Sequence, residues 1–326
     1  MTAPPPGTRQ SGFTMVELLV ALGISTLIAI AAMSALVVSR QGFATADSAS
    51  QLRDNARYAS DLIQRLGVQS GYKDITYSAT NRFTKDAQDP VPNITGFNNA
   101  LSSTTDPENT ATTRTASAVG FGSDVLILRY QPSETFPGSG VSDQSMIDCN
   151  GTSADFVATD RDDRVVSVLH VQVSGITGEP TLMCSTQNRT TGTWSAQPII
   201  SGVENFQVLY GVDGAGTDSV ADRYRRADQM TGATTAATNI NWRTIRSLRI
   251  GMVIRGAIGS LQDPRTQVFY PLGMGMESDS GTAGFAMSTL DSGASADKGT
   301  RFTPIRDTRT RQVVTFTIHL RNEQGL

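Results

Sequence analysis

Gly12-Phe13-Thr14-Met15-Val16-Glu17-Leu18-Leu19-Val20, running on as ALGISTLIAIAAMSALVVS to Ser39, is the stretch that decides the fold. From Leu18 to Ser39 no residue is charged. As a helix those residues span about 33 Å, enough to cross a hydrocarbon core of ~30 Å. The preceding MTAPPPGTRQSG is polar, with three prolines and one arginine. A cleaved secretory signal would carry a shorter apolar core, about 7–15 residues, ending at an A-x-A-like site. This run is longer and no such site clearly follows it. Glu17 is out of place in a plain anchor. A carboxylate near the membrane core costs roughly 2.5–3.5 kcal/mol on insertion scales, so it implies a partner. Cutting the chain after Gly12 supplies one: the free α-amine of Phe13, which is positive at neutral pH unless burial lowers its pKa.

The rest of the composition narrows the class. The chain has 326 residues, 38% apolar and 17% charged, with 30 glycines and many Ser and Thr. This suits strands, turns and loops better than a helix bundle. A net charge of −3 and a pI near 5.5 argue against nucleic-acid binding. Two Cys and two His exclude a disulfide-dense scaffold, and their spacing suggests no zinc cluster.

Helical character continues past Ser39. Gln41–Leu66 has no proline and one glycine, Gly42. Leu52, Ala56, Ala59, Leu62, Ile63 and Leu66 recur at three and four, one apolar face. Arg53, Asp54, Arg57, Asp61 and Arg65 fall mostly elsewhere, and Arg57 with Asp61 can pair. Phe13–Leu66 is therefore one helix of about 80 Å if continuous, with a break near Gly42 as the alternative. Beyond Gly67 and Gly71 the pattern turns to strands. Candidates are Tyr72–Tyr77, Asp124–Tyr130, Arg164–Val173 (covered on both faces), Asn205–Val212, Leu248–Ile254 (half-buried) and Val314–Leu320. Ala79–Gly120 reads mostly as loop, and Gly273–Gly299 as a long exposed loop.

The segment Gly12–Val20 resembles the class III prepilin signal of type IV pilins and type II secretion pseudopilins. The resemblance implies that a prepilin peptidase cuts after Gly12 and methylates Phe13, and that Glu17 guides the subunit into a filament. It implies an α+β, pilin-like fold, a long N-terminal helix packed on a β-sheet-rich head. The expected parts are a leader (1–12), a membrane or filament-core half-helix (13–39), an amphipathic half-helix (40–67) and a periplasmic head (68–326).

Cys149 and Cys184 would then lie in an oxidising compartment, where an even count favours one disulfide over two separate thiols. Closing a loop of about 36 residues adds roughly 4 kcal/mol in the chain-entropy model. Several short stretches look like the head of PilW-type minor pilins: Asp148–Gly151, Leu182–Cys184, Gly202–Asp213, Asp222–Tyr224, the Trp242–Arg255 strand region and a closing Phe316–Asn322 strand. This resemblance implies a structural protein rather than an enzyme, with no cofactor, which takes part in starting pilus assembly and ends at the tip. Its implied partners are other minor pilins, the major pilin, the prepilin peptidase, the inner-membrane assembly platform and the inner membrane itself. A tip adhesin is a further candidate partner. The implied location is the inner membrane, single-pass with a periplasmic head, and then the pilus. The alternatives are a minor pseudopilin of the GspJ type and a membrane-anchored periplasmic binding module.

Other candidates are weaker. Asp213, Asp218 and Asp222 in VDGAGTDSVAD could form a Ca²⁺ loop, but the EF-hand spacing is not met and a polar turn is the preferred reading. Gly214-Ala215-Gly216 lacks the third glycine of a dinucleotide site. Arg223, Arg225 and Arg226 read as a solvated basic face. Asn93, Asn150 and Asn188 match N-x-[ST] by chance. Both histidines fall in strand patterns, where a satisfied sheet histidine is expected.

Overall fold

The computed structural model describes residues 12–73, 91–116, 118–159, 162–214, 220–261, 263–273 and 301–322. Helix α1 (Met15–Gln69) runs without a break past Gly42, 55 residues or about 82 Å. Thr14 caps its start. At its end Ser70 N–H donates to the carbonyls of Leu66 and Gly67, and Gly71 turns the chain away at φ +78°. Positive φ is open to glycine at little cost, so the helix stops here.

The upper half of α1 is the spine of the head. Leu52, Ala56, Ala59, Leu62, Ile63 and Leu66, the stripe expected from the sequence, are all buried. Gly67 lies against Ile318, where a Cβ would sit 3.0 Å from its Cγ2. Arg57 and Asp61 both stay exposed and no ion pair joins them.

Two antiparallel sheets pack with α1 around one core. The first has the order β1-β4-β5-β6-β7, from β1 (Ile94–Phe97), β4 (Val125–Tyr130), β5 (Val165–Val173), β6 (Pro180–Gln187) and β7 (Trp194–Ser201). The second has the order β11-β10-β8-β9, from β8 (Val203–Val212), β9 (Arg223–Arg225), β10 (Ile245–Arg255) and β11 (Arg311–His319). A hairpin of β2 (Ala100–Ser102) and β3 (Ala111–Thr113) sits beside the first sheet. Helix α2 (Thr235–Arg243) precedes β10. The α+β architecture expected from the sequence is the one observed.

Several details differ. Residues 94–97, 100–102 and 111–113 are strands, not loop, because their partners are β4 and each other rather than an obvious local pattern. Tyr72 and Lys73 form no strand, and 74–77 lie outside the described residues, as do 274–299. Strands β6 and β7 were not expected from the sequence at all. Trp242 belongs to α2, not to a strand, and packs edge-on against Tyr210 with ring centroids 4.9 Å apart. Strand β10 is buried on both faces rather than half-buried. Residues 271–272 cross its outer face, where Arg249 Nη2 donates to Leu272 O at 3.1 Å and Thr315 Oγ1 to Pro271 O.

The segment that follows β11 is fastened to the helix. Asn322 Nδ2 donates to the carbonyls of Val68 and Ser70 at 3.2 and 3.1 Å.

Candidate functional site

Residues 12–47 are exposed throughout, including Phe13 and Met15 at 87%. An apolar helix of this length exposes its side chains in water at great cost, so the surface belongs in lipid or against other helices. Its polar groups are already suited to that. Ser25 Oγ donates to Ala21 O, Thr26 Oγ1 to Gly23 O and Ser34 Oγ to Ile30 O, at 2.7–2.8 Å. Hydroxyls paired with their own helix leave nothing unsatisfied in a medium without water.

Gly12 and Phe13 lie just ahead of the helix, in irregular backbone open to solvent. Thr14 and Glu17 form a capping box. Thr14 Oγ1 accepts the Glu17 N–H at 3.3 Å, and the Glu17 carboxylate accepts from Thr14 N–H and Thr14 O–H, both at 2.9 Å. Both bonds fall on Oε2. Oε1 accepts nothing among the described residues, so half of the carboxylate is open to an outside donor. The Thr14 N–H belongs to the Phe13–Thr14 peptide bond. A cut between Gly12 and Phe13 would leave the box intact.

In the head, Cys149 and Cys184 are joined by a disulfide, with Cα atoms 5.7 Å apart. Both are buried, and Cys149 N–H donates to Ser167 Oγ at 3.0 Å. The bond fastens the 147–153 loop to β6, beside β5.

An ion-pair network not foreseen from the sequence closes the end of the head from which α1 emerges. Arg255 pairs with Glu179 (2.6 Å) and Glu204 (3.0 Å), Arg309 with Glu179 (2.9 Å), and Arg311 with Glu204 (2.6 Å) and Asp307 (2.7 Å). Burial alone would raise the Glu179 carboxyl. Arg255 and Arg309 outweigh it and hold that group below its usual range. Most partners are 51–130 residues apart, so no local motif could announce them.

His170 lies within β5. Its Nε2 is 2.9 Å from Ser185 Oγ, while Nδ1 finds no hydrogen-bond partner. Burial, then the nearby Arg114 charge, push its pKa down to about 4. Arg114 is itself lowered to about 10 by burial, offset in part by Asp124. Its guanidinium donates to the carbonyls of Ala100 (2.9 Å), Val119 (3.0 Å) and Val171 (2.5 Å). Wrapped in backbone carbonyls, it holds loops together and presents no face to a ligand.

Asp213 lies 3.5 Å from Arg246 Nε, and Asp222 Oδ2 accepts from Gly214 N–H at 2.8 Å. Asp218 lies outside the described residues. Among the described residues no group of three or more His, Cys, Asp or Glu is placed to hold a metal ion. Arg223, Arg225 and Arg226 are not a solvated face. β9 pairs with β8, and Arg226 is buried with its guanidinium 2.9 Å from Asp228. Asn93 is buried and accepts from Arg164, while Asn188 caps a turn through Thr190 N–H and Thr191 N–H.

Residues 168–322 match the family described as type IV pilus-assembly protein W, PilW. Residues 7–33 match the prokaryotic N-terminal methylation motif. No curated protein gives a match. Among solved structures, a type IV-like pilin from Thermus thermophilus aligns over 82% of this chain and 95% of its own, at 13% identity and a TM-score of 0.38. The two family matches support the resemblance read from the sequence: this is a type IV pilin-like protein with a PilW domain, and its apolar N-terminal helix fits a membrane-anchored pilin.

Proposed function

We propose that this PilW-domain pilin is a minor pilin that takes part in initiating type IV pilus assembly. Prepilin peptidase cuts it between Gly12 and Phe13 and methylates Phe13. It waits in the inner membrane with its head in the periplasm, joins other minor pilins and the major pilin at the assembly platform, and ends at the pilus tip. Its role is structural rather than enzymatic. The observation that carries this reading is Glu17. Its carboxylate stands at the exposed start of a membrane-length helix, with Oε1 open. The α-amine of Phe13 on a neighbouring subunit is the donor it suits, since an opposite charge offsets the cost of a carboxylate in lipid.

The PilW match favours the pilus over a type II secretion pseudopilin. The first test is mass spectrometry of the N-terminus of protein extracted from membranes. A chain beginning at N-methyl Phe13 is expected. One beginning at Met1 or Thr2, in cells with active prepilin peptidase, overturns the processing route. Deleting the gene should abolish pili and twitching; loss of exoprotein secretion alone would move the protein to the secretion machinery. A Glu17→Val variant should accumulate in the membrane with a folded head and fail to enter filaments.

A further inference from the structure

We infer that the end of the head from which α1 emerges is a membrane-resting surface, built to lie in the phospholipid headgroup layer around its own anchor. This rests on the membrane-anchored reading above.

The strand ends fix which end this is. The β5–β6 turn, the start of β8, the end of β10 and the start of β11 all meet at the ion-pair network of Glu179, Glu204, Arg255 and Arg311. The loop after β10 reaches α1 there: Thr45 Oγ1 donates to Ser260 O at 3.3 Å, and Gly256 lies against Ser48. Thr45 is six residues past Ser39, the end of the uncharged run. Six residues of helix rise about 9 Å. The interfacial layer on each side of a bilayer is roughly 5–8 Å thick. Thr45 therefore stands at the outer edge of the headgroup layer when Leu18–Ser39 spans the core, and the 257–261 loop borders that layer.

Its chemistry fits that level. Ile258 is 74% exposed on this loop. The 305–308 segment runs beside it, with Gly259 and Leu261 N–H donating to Thr308 O, and carries Ile305 at 88%. Ile176, at 87%, tips the β5–β6 turn three residues from Glu179. Isolated exposed apolar residues are ordinary. Here three large β-branched ones sit on separate loops at one end, the end that the membrane helix leaves. Phe43 and Arg40, both exposed, mark the same level on α1. The network behind the loops matches its three arginines with three carboxylates. Arg306 Nε donates to Pro264 O, which sets Arg306 beside the segment that carries Arg265; outside the network these loops hold one acid, the exposed Asp263, and on α1 Arg40 is offset by Asp47. The excess is positive, and lipid phosphate is its complement.

The test uses the full chain in vesicles of phosphatidylethanolamine and phosphatidylglycerol, with a nitroxide at Ile258→Cys or Ile305→Cys. Reference labels go at Leu27→Cys, within the span, and at Thr152→Cys, in the loop bonded near the far end of α1. Labels at 258 and 305 should collide less with a water-soluble nickel chelate, and more with oxygen, than the label at 152. They should lie shallower than the label at 27. If 258 and 305 behave like 152 while 27 is lipid-embedded, the end stands clear of the membrane and this inference fails alone. If 27 is also water-accessible, the anchor reading fails with it. Protection that grows with the protein-to-lipid ratio would mean contact with a second copy and would overturn the inference. Arg265→Glu combined with Arg306→Glu should lose much of the protection; an unchanged profile would remove lipid phosphate from the account.

Discussion

Asp124 Oδ2 accepts the backbone N–H of Val208 at 2.8 Å, and that bond crosses from one sheet of the head to the other. Asp124 N–H donates in return to Phe206 O at 2.8 Å, and Oδ1 accepts the Asn99 N–H at 2.9 Å. One buried carboxylate thus holds β8, the lead into β4 and the start of the β2–β3 hairpin. The Arg114 charge lies close enough to feel it.

Asp124→Ala would leave the backbone N–H groups of Val208 and Asn99 without their acceptor and remove a negative charge near the Arg114 guanidinium. Each buried N–H left without its acceptor costs about 1–3 kcal/mol, so the two together cost roughly 2–6 kcal/mol. Denaturant unfolding of the detergent-solubilised chain should show a loss of that order. A loss below ~1 kcal/mol would mean that water or a neighbouring group replaces the carboxylate.

The Cys149–Cys184 bond closes a separation of 35 residues in the head. Replacing both by Ser should lower stability by about 2–4 kcal/mol. Chemical reduction of the unaltered protein should give the same shift in the unfolding midpoint. Equal midpoints for reduced and oxidised protein would show that the bond adds no stability.

His170 makes stability depend on pH. The unfolded imidazole takes a proton near its ordinary value of 6.5, whereas the folded one holds off until about 4. Between those values the unfolded chain binds more protons, so stability falls as pH falls. The contribution is fully present above about pH 6.5 and gone below about 4, at most ~3 kcal/mol in all. His170→Gln should flatten this part of the stability-against-pH curve. An identical slope in both proteins would assign the acid sensitivity elsewhere.

Thr14→Ala removes the side-chain half of the capping box. The local cost should be ~1 kcal/mol. It should appear as faster hydrogen exchange in the first turn of α1 in bilayers, with no change in the unfolding midpoint of the head, whose buried helix contacts begin at Ser48. A shifted midpoint would show that the helix start and the head are coupled.

The helix and its buried stripe were readable because both signals are local. An uncharged run of membrane length and a three-four spacing of apolar residues are complete within one segment. Within the candidate site, Glu17 stands out by its place in the apolar run, whereas its bond to Thr14 goes unremarked in the sequence reading although that pattern too is local. Thr14 and Glu17 are three apart, and the capping box follows from that spacing. β1, with only ITGF to show, gains its identity from β4, some thirty residues on. β7 is mostly exposed and β6 mostly buried, so neither gives the alternation that marks a strand. Trp242 looked like strand because α2 is polar and Thr-rich, with two buried residues, Asn239 and Trp242. Arg226 reads as surface because its neighbours are arginines; its partner Asp228 is only two residues on, but the packing that buries it is tertiary.

The unbroken course of α1 also has a mechanical meaning. A pull along the axis of its exposed half enters the head parallel to the buried stripe, loading Leu52, Ala56, Ala59, Ile63 and Leu66 together in shear rather than peeling them one after another. Asn322, bonded to the carbonyls of Val68 and Ser70, ties the last strand to the far end of the same rod. With no kink near Gly42 to act as a hinge, traction on the helix would move the head as a rigid load, so a subunit drawn out of the bilayer would travel with its fold intact.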